Sequence, residues 1–219
     1  MISPNQDDRP EDAPIDHLVL HYTGMRSGDE AITRLCDPVA KVSSHYVVAE
    51  DGAIHALVPE ARRAWHAGVS AWRGVRALND RSIGIEIVNP GHEWGYRAFP
   101  PAQIAAVVSL ARSILTRHPI PARNIVAHSD IAPDRKQDPG ELFPWRDLAA
   151  RGIGLWADGL AATTDPLADL AAIGYEITAD PAPPITAFQR RFRPARCDGV
   201  IDAETAGRIG AITRVFVFP

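Results

Sequence analysis

The sequence predicts an α/β fold: a mixed central β-sheet flanked by helices, followed by a small C-terminal three-helix domain. Short apolar runs at residues 16–22, 82–89 and 125–127 read as buried strands. Residues 101–118 carry the one long amphipathic pattern, with Ile104, Val107, Val108, Ala111, Ile114 and Leu115 on one face. From residue 153 the composition turns to Gly, Ala, Asp and Thr, and short helical patterns then recur near 166–173, 185–193 and 202–212. Strands alternating with helices give a layered domain of ordinary size, and a 219-residue chain accommodates it together with a small second unit. The predicted boundaries are a polar leader at 1–14, a first domain at 15–152, a linker at 153–165 and the three-helix unit at 166–214.

The leader is polar, acidic and proline-containing, without the basic and apolar regions of a secretion signal. No apolar run reaches the roughly 18 to 20 residues of a membrane span. These features point to a cytoplasmic protein, or a periplasmic one if the N-terminus is incomplete. Hydrophobic residues make up 46% of the chain and the net charge is −4, which fits a globular monomer and supplies no basic surface for nucleic acid. Cys36 and Cys197 fall in different predicted domains and are read as free thiols.

In the first strand Leu18 and Leu20 face one side, and His17, Val19 and His21 the other. His21 lies at the strand's C-terminal edge, where it is either structural or a ligand. Residues 28–40 predict a helix capped by Asp29 and stopped near Pro38. Residues 43–58 alternate as a hairpin turning at Asp51-Gly52. A loop-rich stretch over 60–82 carries Trp65, His66 and Trp72, either as a ligand-binding wall or as a packed loop. Glu86 sits among isoleucines in the 82–89 strand. It is a surface carboxylate on an edge, or a buried one whose raised pKa suits a general base.

Residues 125–145, IVAHSDIAPDRKQDPGELFPW, hold the densest chemistry. His128 stands where a strand gives way to loop. Pro139 favours an extended Asp138, with Lys136 two residues earlier on the same side. A short helix begins at Pro144. Two histidines and a carboxylate, His21, His128 and Asp138, are a ligand set for catalytic zinc that leaves a position for water. Glu86 would take that water's proton, and Lys136 would steady the developing oxyanion.

These residues occur in segments that resemble the zinc-dependent N-acetylmuramoyl-L-alanine amidases of the amidase-2 family: HYT at His21, SSHYVV at Ser43, AWHAGVSAW at Ala64, NDRSIGIEIVNPG at Asn79 and HSDIAPDRKQDPGELFPW at His128. The resemblance implies one Zn2+ on His21, His128 and Asp138, with Glu86 as general base and Lys136 at the oxyanion. It implies hydrolysis of the amide between N-acetylmuramic acid and L-alanine in peptidoglycan fragments or anhydromuropeptides. Tyr22, Tyr46, His66 and Trp72 would form the pocket wall, with Arg73 as a carboxylate contact. His45, His55, His92 and His118 read as structural or exposed, and His17 as outside the site. Phe188-Gln189, Asp198-Gly199 and Thr205 resemble the FQ…DG…T pattern of the peptidoglycan-binding three-helix domain, although Ala203-Glu204 replaces its glycine-containing turn. A non-catalytic muropeptide-binding protein and a zinc peptidase acting on stem peptides are the competing readings.

Overall fold

The computed structural model describes residues 1–217. Its main sheet has the strand order Ile54–Ala56, Tyr46–Val48, Ser82–Ile87, His17–Tyr22, Ile125–Ala127. The last four run parallel, and Ile54–Ala56 is the antiparallel edge. Parallel strands are covered on both faces, which accounts for their nearly unbroken apolar character.

One face, with Leu18, Leu20, Ile83, Ile85 and Ile87, packs against the Pro101–Arg117 helix. Val107, Val108, Ala111 and Ile114 of that helix are buried, while Ile104 and Leu115 are partly so. Gln103 is buried as well, because its amide donates to the carbonyls of Val48 and Val88 at 3.0 and 2.9 Å where two strands end.

The opposite face, marked by Val19 and Val126, packs against Leu170, Ile173, Tyr175, Phe188, Phe192, Ile209 and Phe216. These belong to the helices Pro166–Ile173, Ala182–Phe192 and Ala203–Val217 and to the loops between them. The three-helix module thus shares one core with the sheet. The segment before it is also packed, with Ile153 fully buried and Trp156 against Phe192.

The structure departs from expectation in four places. The N-terminal segment is drawn into the fold: Gln6–Asp8 pairs antiparallel with Arg62–Ala64, and Ser3 and Asn5 are buried. The first helix is Gly28–Cys36, capped by the Ser27 hydroxyl, which accepts from the Glu30 N–H at 3.2 Å; Asp29 lies inside the first turn. It stops because Pro38 holds Asp37 extended. Within 60–82, Ala71–Trp72 and Val75–Arg76 form a tight hairpin with positive φ at Arg73 and Gly74, the geometry of a two-residue turn. Finally, His128–Ile131 makes one helical turn where loop was expected. Among the described residues no helix is long and apolar enough to cross a membrane.

Candidate metal centre

His21, next to last in its strand, is in register with Glu86 on the neighbouring central strand, so both side chains project from the same face. His128 begins the helical turn after the next strand over. Asp138 returns to it because its carbonyl accepts from the Ser129 N–H at 3.0 Å. Three elements thereby bring His21 Nδ1, His128 Nδ1 and Asp138 Oδ2 to 2.9, 3.1 and 3.0 Å from one another, all buried. This trio is a set of donor atoms that could hold a metal ion.

The protons on these rings can be traced. Ser82 Oγ lies 2.5 Å from the Leu78 carbonyl, which can only accept, so the hydroxyl proton is spent there. His66 Nε2, 3.1 Å from the same Oγ, must therefore donate to it. That leaves His66 Nδ1 as an acceptor for the N–H of His21 Nε2, 3.0 Å away. His21 Nδ1 is then a bare lone pair. His128 Nε2 faces the Ala67 carbonyl at 3.3 Å, which leaves its Nδ1 bare in the same way. Burial, followed by the proximity of His128, brings the His21 pKa down to about 4, so the ring is neutral at pH 7. Two lone pairs and a carboxylate converging within hydrogen-bond distance repel one another unless a cation lies among them. The donor set fits a metal.

Gly84 makes this relay possible. A Cβ at that position would lie 2.5 Å from the His66 ring, which packs directly over the strand. The Asn79 side chain holds the backbone there, its carbonyl oxygen accepting from the N–H groups of His66 and Ala67 at 3.0 and 2.7 Å.

The cavity above the trio measures about 350 Å³ and is lined by Tyr22, Glu86, Lys136 and residues of the Gly28–Cys36 helix. Glu86 stands on a central strand, so it is no edge carboxylate. Its Oε2 is buried without a hydrogen-bond partner. Burial and then Asp138 push its pKa well above the usual carboxylate range, against a smaller opposing effect of Lys136.

Of the expected wall residues, Tyr22 and His66 line this cavity. The structure places the other three elsewhere. Trp72 is buried, donates to the Arg123 carbonyl and packs edge-on against Tyr175 of the module. Arg73 donates to the carbonyls of Ala172 and Ile173 at the end of a module helix. Tyr46 lies on the other face of the sheet and donates to Glu60 at 2.6 Å. Trp65, read as wall or as packed loop, also lines the cavity; Met25, Arg34 and Arg135 line it unforeseen, and while Arg135 lies within the 125–145 segment, Arg34 left no mark in the sequence.

The Tyr46 contact belongs to a cluster with its own pH signature. Burial would raise the Glu60 carboxyl, but hydrogen bonds from Arg117, Tyr46 and His118 bring it down to about 2 from an ordinary 4.5. A carboxylate held below its unfolded pKa contributes fully above about pH 4.5 and loses that contribution as pH falls towards 2. The melting temperature of Glu60→Gln is expected to fall less steeply than that of the parent chain through this window. Parallel curves would remove Glu60 as a source of acid sensitivity.

The family model described as N-acetylmuramoyl-L-alanine amidase matches residues 11–141. N-acetylmuramoyl-L-alanine amidase AmiD of Escherichia coli is 44% identical, over 86% of this chain and 78% of its own. The 1,6-anhydro-N-acetylmuramyl-L-alanine amidase AmpD of Citrobacter freundii is 36% identical, over 68% of this chain and 86% of its own. The crystal structure of AMPDH3 from Pseudomonas aeruginosa in complex with anhydromuramic pentapeptide superposes with a TM-score of 0.84 at 34% identity, covering 99% of this chain and 98% of that one. With a family match across more than half its length and such relatives along most of it, the chain belongs to the N-acetylmuramoyl-L-alanine amidases.

Proposed function

We propose that this amidase hydrolyses the bond between the lactyl carbonyl of N-acetylmuramic acid, including its 1,6-anhydro form, and the L-alanine of the stem peptide. His21, His128 and Asp138 would hold one zinc ion. The observation that carries this reading is the convergence of three metal-ligating atoms beside a half-buried carboxylate whose Oε2 has no hydrogen-bond partner, in a cavity of about 350 Å³. The anhydro sugar is supported by two relatives, one named as a 1,6-anhydro-muramyl amidase and one crystallised with an anhydromuramic pentapeptide.

Zinc held by His21, His128 and Asp138 would supply a Lewis acid and would lower the pKa of water towards about 7. Glu86 takes the proton of the attacking water and carries it to the departing amide nitrogen. Its raised pKa suits both directions of transfer. Lys136, on the same cavity wall, opposes the charge that grows on the carbonyl oxygen. Tyr22 is fixed as wall by His92, whose Nδ1 lies 2.9 Å from its hydroxyl. His66 and Ser82 keep the His21 lone pair turned to the metal.

The test is digestion of a soluble 1,6-anhydro-muropeptide and of intact peptidoglycan sacculi by the zinc-loaded chain, with mass spectrometry of the products. Free stem peptide from the soluble substrate alone would assign the chain to turnover of released fragments. Release from sacculi would assign it to the wall itself. Cleavage inside the peptide would make it a peptidase, and no product from either would leave a binding protein.

The relay makes a separate prediction. Ser82→Ala removes the group that dictates the His66 proton, so His21 is no longer held in one tautomer. Zinc affinity is expected to fall roughly 10-fold to 100-fold, the usual effect of losing an outer partner of a metal ligand. Competition with a chromophoric chelator measures it, and an unchanged affinity would remove Ser82 from the relay.

A further inference from the structure

The loop that carries His128 is gripped from behind by the C-terminal module. Arg191, on the Ala182–Phe192 helix, is 1% exposed and donates from Nη1 to Asp130 Oδ2 at 2.6 Å; Asp130 is fully buried. Its Nη2 donates to the Ile125 carbonyl at 3.2 Å. The guanidinium lies 4.0 Å over the Trp145 ring. Tyr175, also of the module, donates to the other Asp130 oxygen at 2.6 Å. Asp130 in turn accepts from the Ala127 N–H at 2.9 Å. One module side chain therefore holds the chain three residues before His128 and two residues after it. The preceding residue, Arg190, approaches Glu141 at 3.5 Å, and Glu141 meets His92, the partner of Tyr22.

The FQ…DG…T pattern, by contrast, is spent inside the module. Phe188 and Gln189 are fully buried, and the Gln189 amide joins the backbone of Asp198, Gly199 and Val200 to the Thr205 hydroxyl. That pattern explains how the module folds.

We propose that the C-terminal module is a clamp on the metal-bearing loop, with Arg191 a positioning residue that sets His128 through Asp130. The proposal rests on His128 being a metal ligand, as argued above. Its physical basis is geometric: a planar guanidinium fixes two acceptors on either side of His128 at once, which a single point charge cannot do. Module packing and metal binding are then coupled, and coupling is reciprocal.

Two measurements on the full-length chain test it. In the first, zinc affinity and melting temperature are read for Arg191→Met and for the double variant Asp130→Asn with Arg191→Met, in which no buried charge is left unpaired. Both are expected to bind zinc about 10-fold to 100-fold more weakly, with the double variant melting above the single one. A folded double variant with unchanged zinc affinity would overturn the clamp.

The second uses the unaltered chain and so does not depend on either variant folding. Amide hydrogen exchange is followed with and without zinc. Slower exchange in both 125–138 and 182–192 supports the coupling. Protection of 125–138 with 182–192 unchanged overturns the clamp while leaving the metal centre intact. Failure of the unaltered chain to bind zinc would overturn both, and so separates the two failures.

Discussion

Asp138→Ala is expected to lose zinc and activity together, yet to cost the metal-free protein nothing in stability. Three donors are the minimum for a catalytic zinc site with an open position, and the variant keeps two. Without the metal, the Lewis-acid contribution of several kcal/mol to the transition state disappears. At about 1.4 kcal/mol per factor of ten, that is a loss on the order of 10³-fold in rate. The stability half of the prediction comes from the proton count. If both Nδ1 atoms are bare lone pairs, the Asp138 carboxylate 3.1 and 3.0 Å away repels them in the metal-free chain, and alanine relieves the repulsion. Had Asp138 been one half of an ordinary buried ion pair, its removal would strand a charge and cost about 3 to 5 kcal/mol. Melting curves in chelator therefore discriminate between the roles. A variant that binds zinc stoichiometrically would show that Asp138 is not a ligand, and a sharp drop in the melting temperature of the metal-free variant would show that the histidines carry protons on Nδ1.

The site residues legible in the sequence share a property: their positions are set locally. His21 and Glu86 occupy the ends of apolar strands, and His128, Lys136 and Asp138 lie in one proline-marked loop, so element type alone brought them near a common edge. The misplaced residues are those whose direction depends on distant partners. Nothing near Trp72 reveals that Tyr175 of the module will pack on its ring, or that Arg73 will seek the carbonyls of Ala172 and Ile173. Tyr46 alternates correctly along its strand, but the choice of face needed the helix position and Glu60 to settle it. Asp130 is the extreme case. Nothing near it in the chain marks its partner, which lies 61 residues away on a helix of the other unit. The helix cap moved from Asp29 to Ser27 for a milder reason, since two capping residue types lie within three positions and only backbone geometry chooses between them.

Glu86→Ala should separate binding from chemistry. Glu86 contributes no donor atom to the trio, so the variant is expected to hold zinc with the parent's stoichiometry while turnover falls by roughly 10² to 10⁴, the range for losing general acid–base help. The same residue should carry a stability cost that the variant removes. A carboxyl whose pKa is raised by folding from an ordinary 4.5 weakens the folded state wherever the unfolded chain would be ionised, that is, above about pH 4.5. Glu86→Gln, which keeps the shape, is therefore expected to melt above the parent at pH 7 to 8, with the gap closing as pH falls to 4. Its buried Oε2 without a partner is the structural source of that cost. A gain in stability together with a loss of turnover and intact zinc binding is the signature of a strained catalytic group. If Glu86→Gln melts below the parent at neutral pH, the carboxylate is instead satisfied in the folded chain. If Glu86→Ala turns over normally, another group moves the proton.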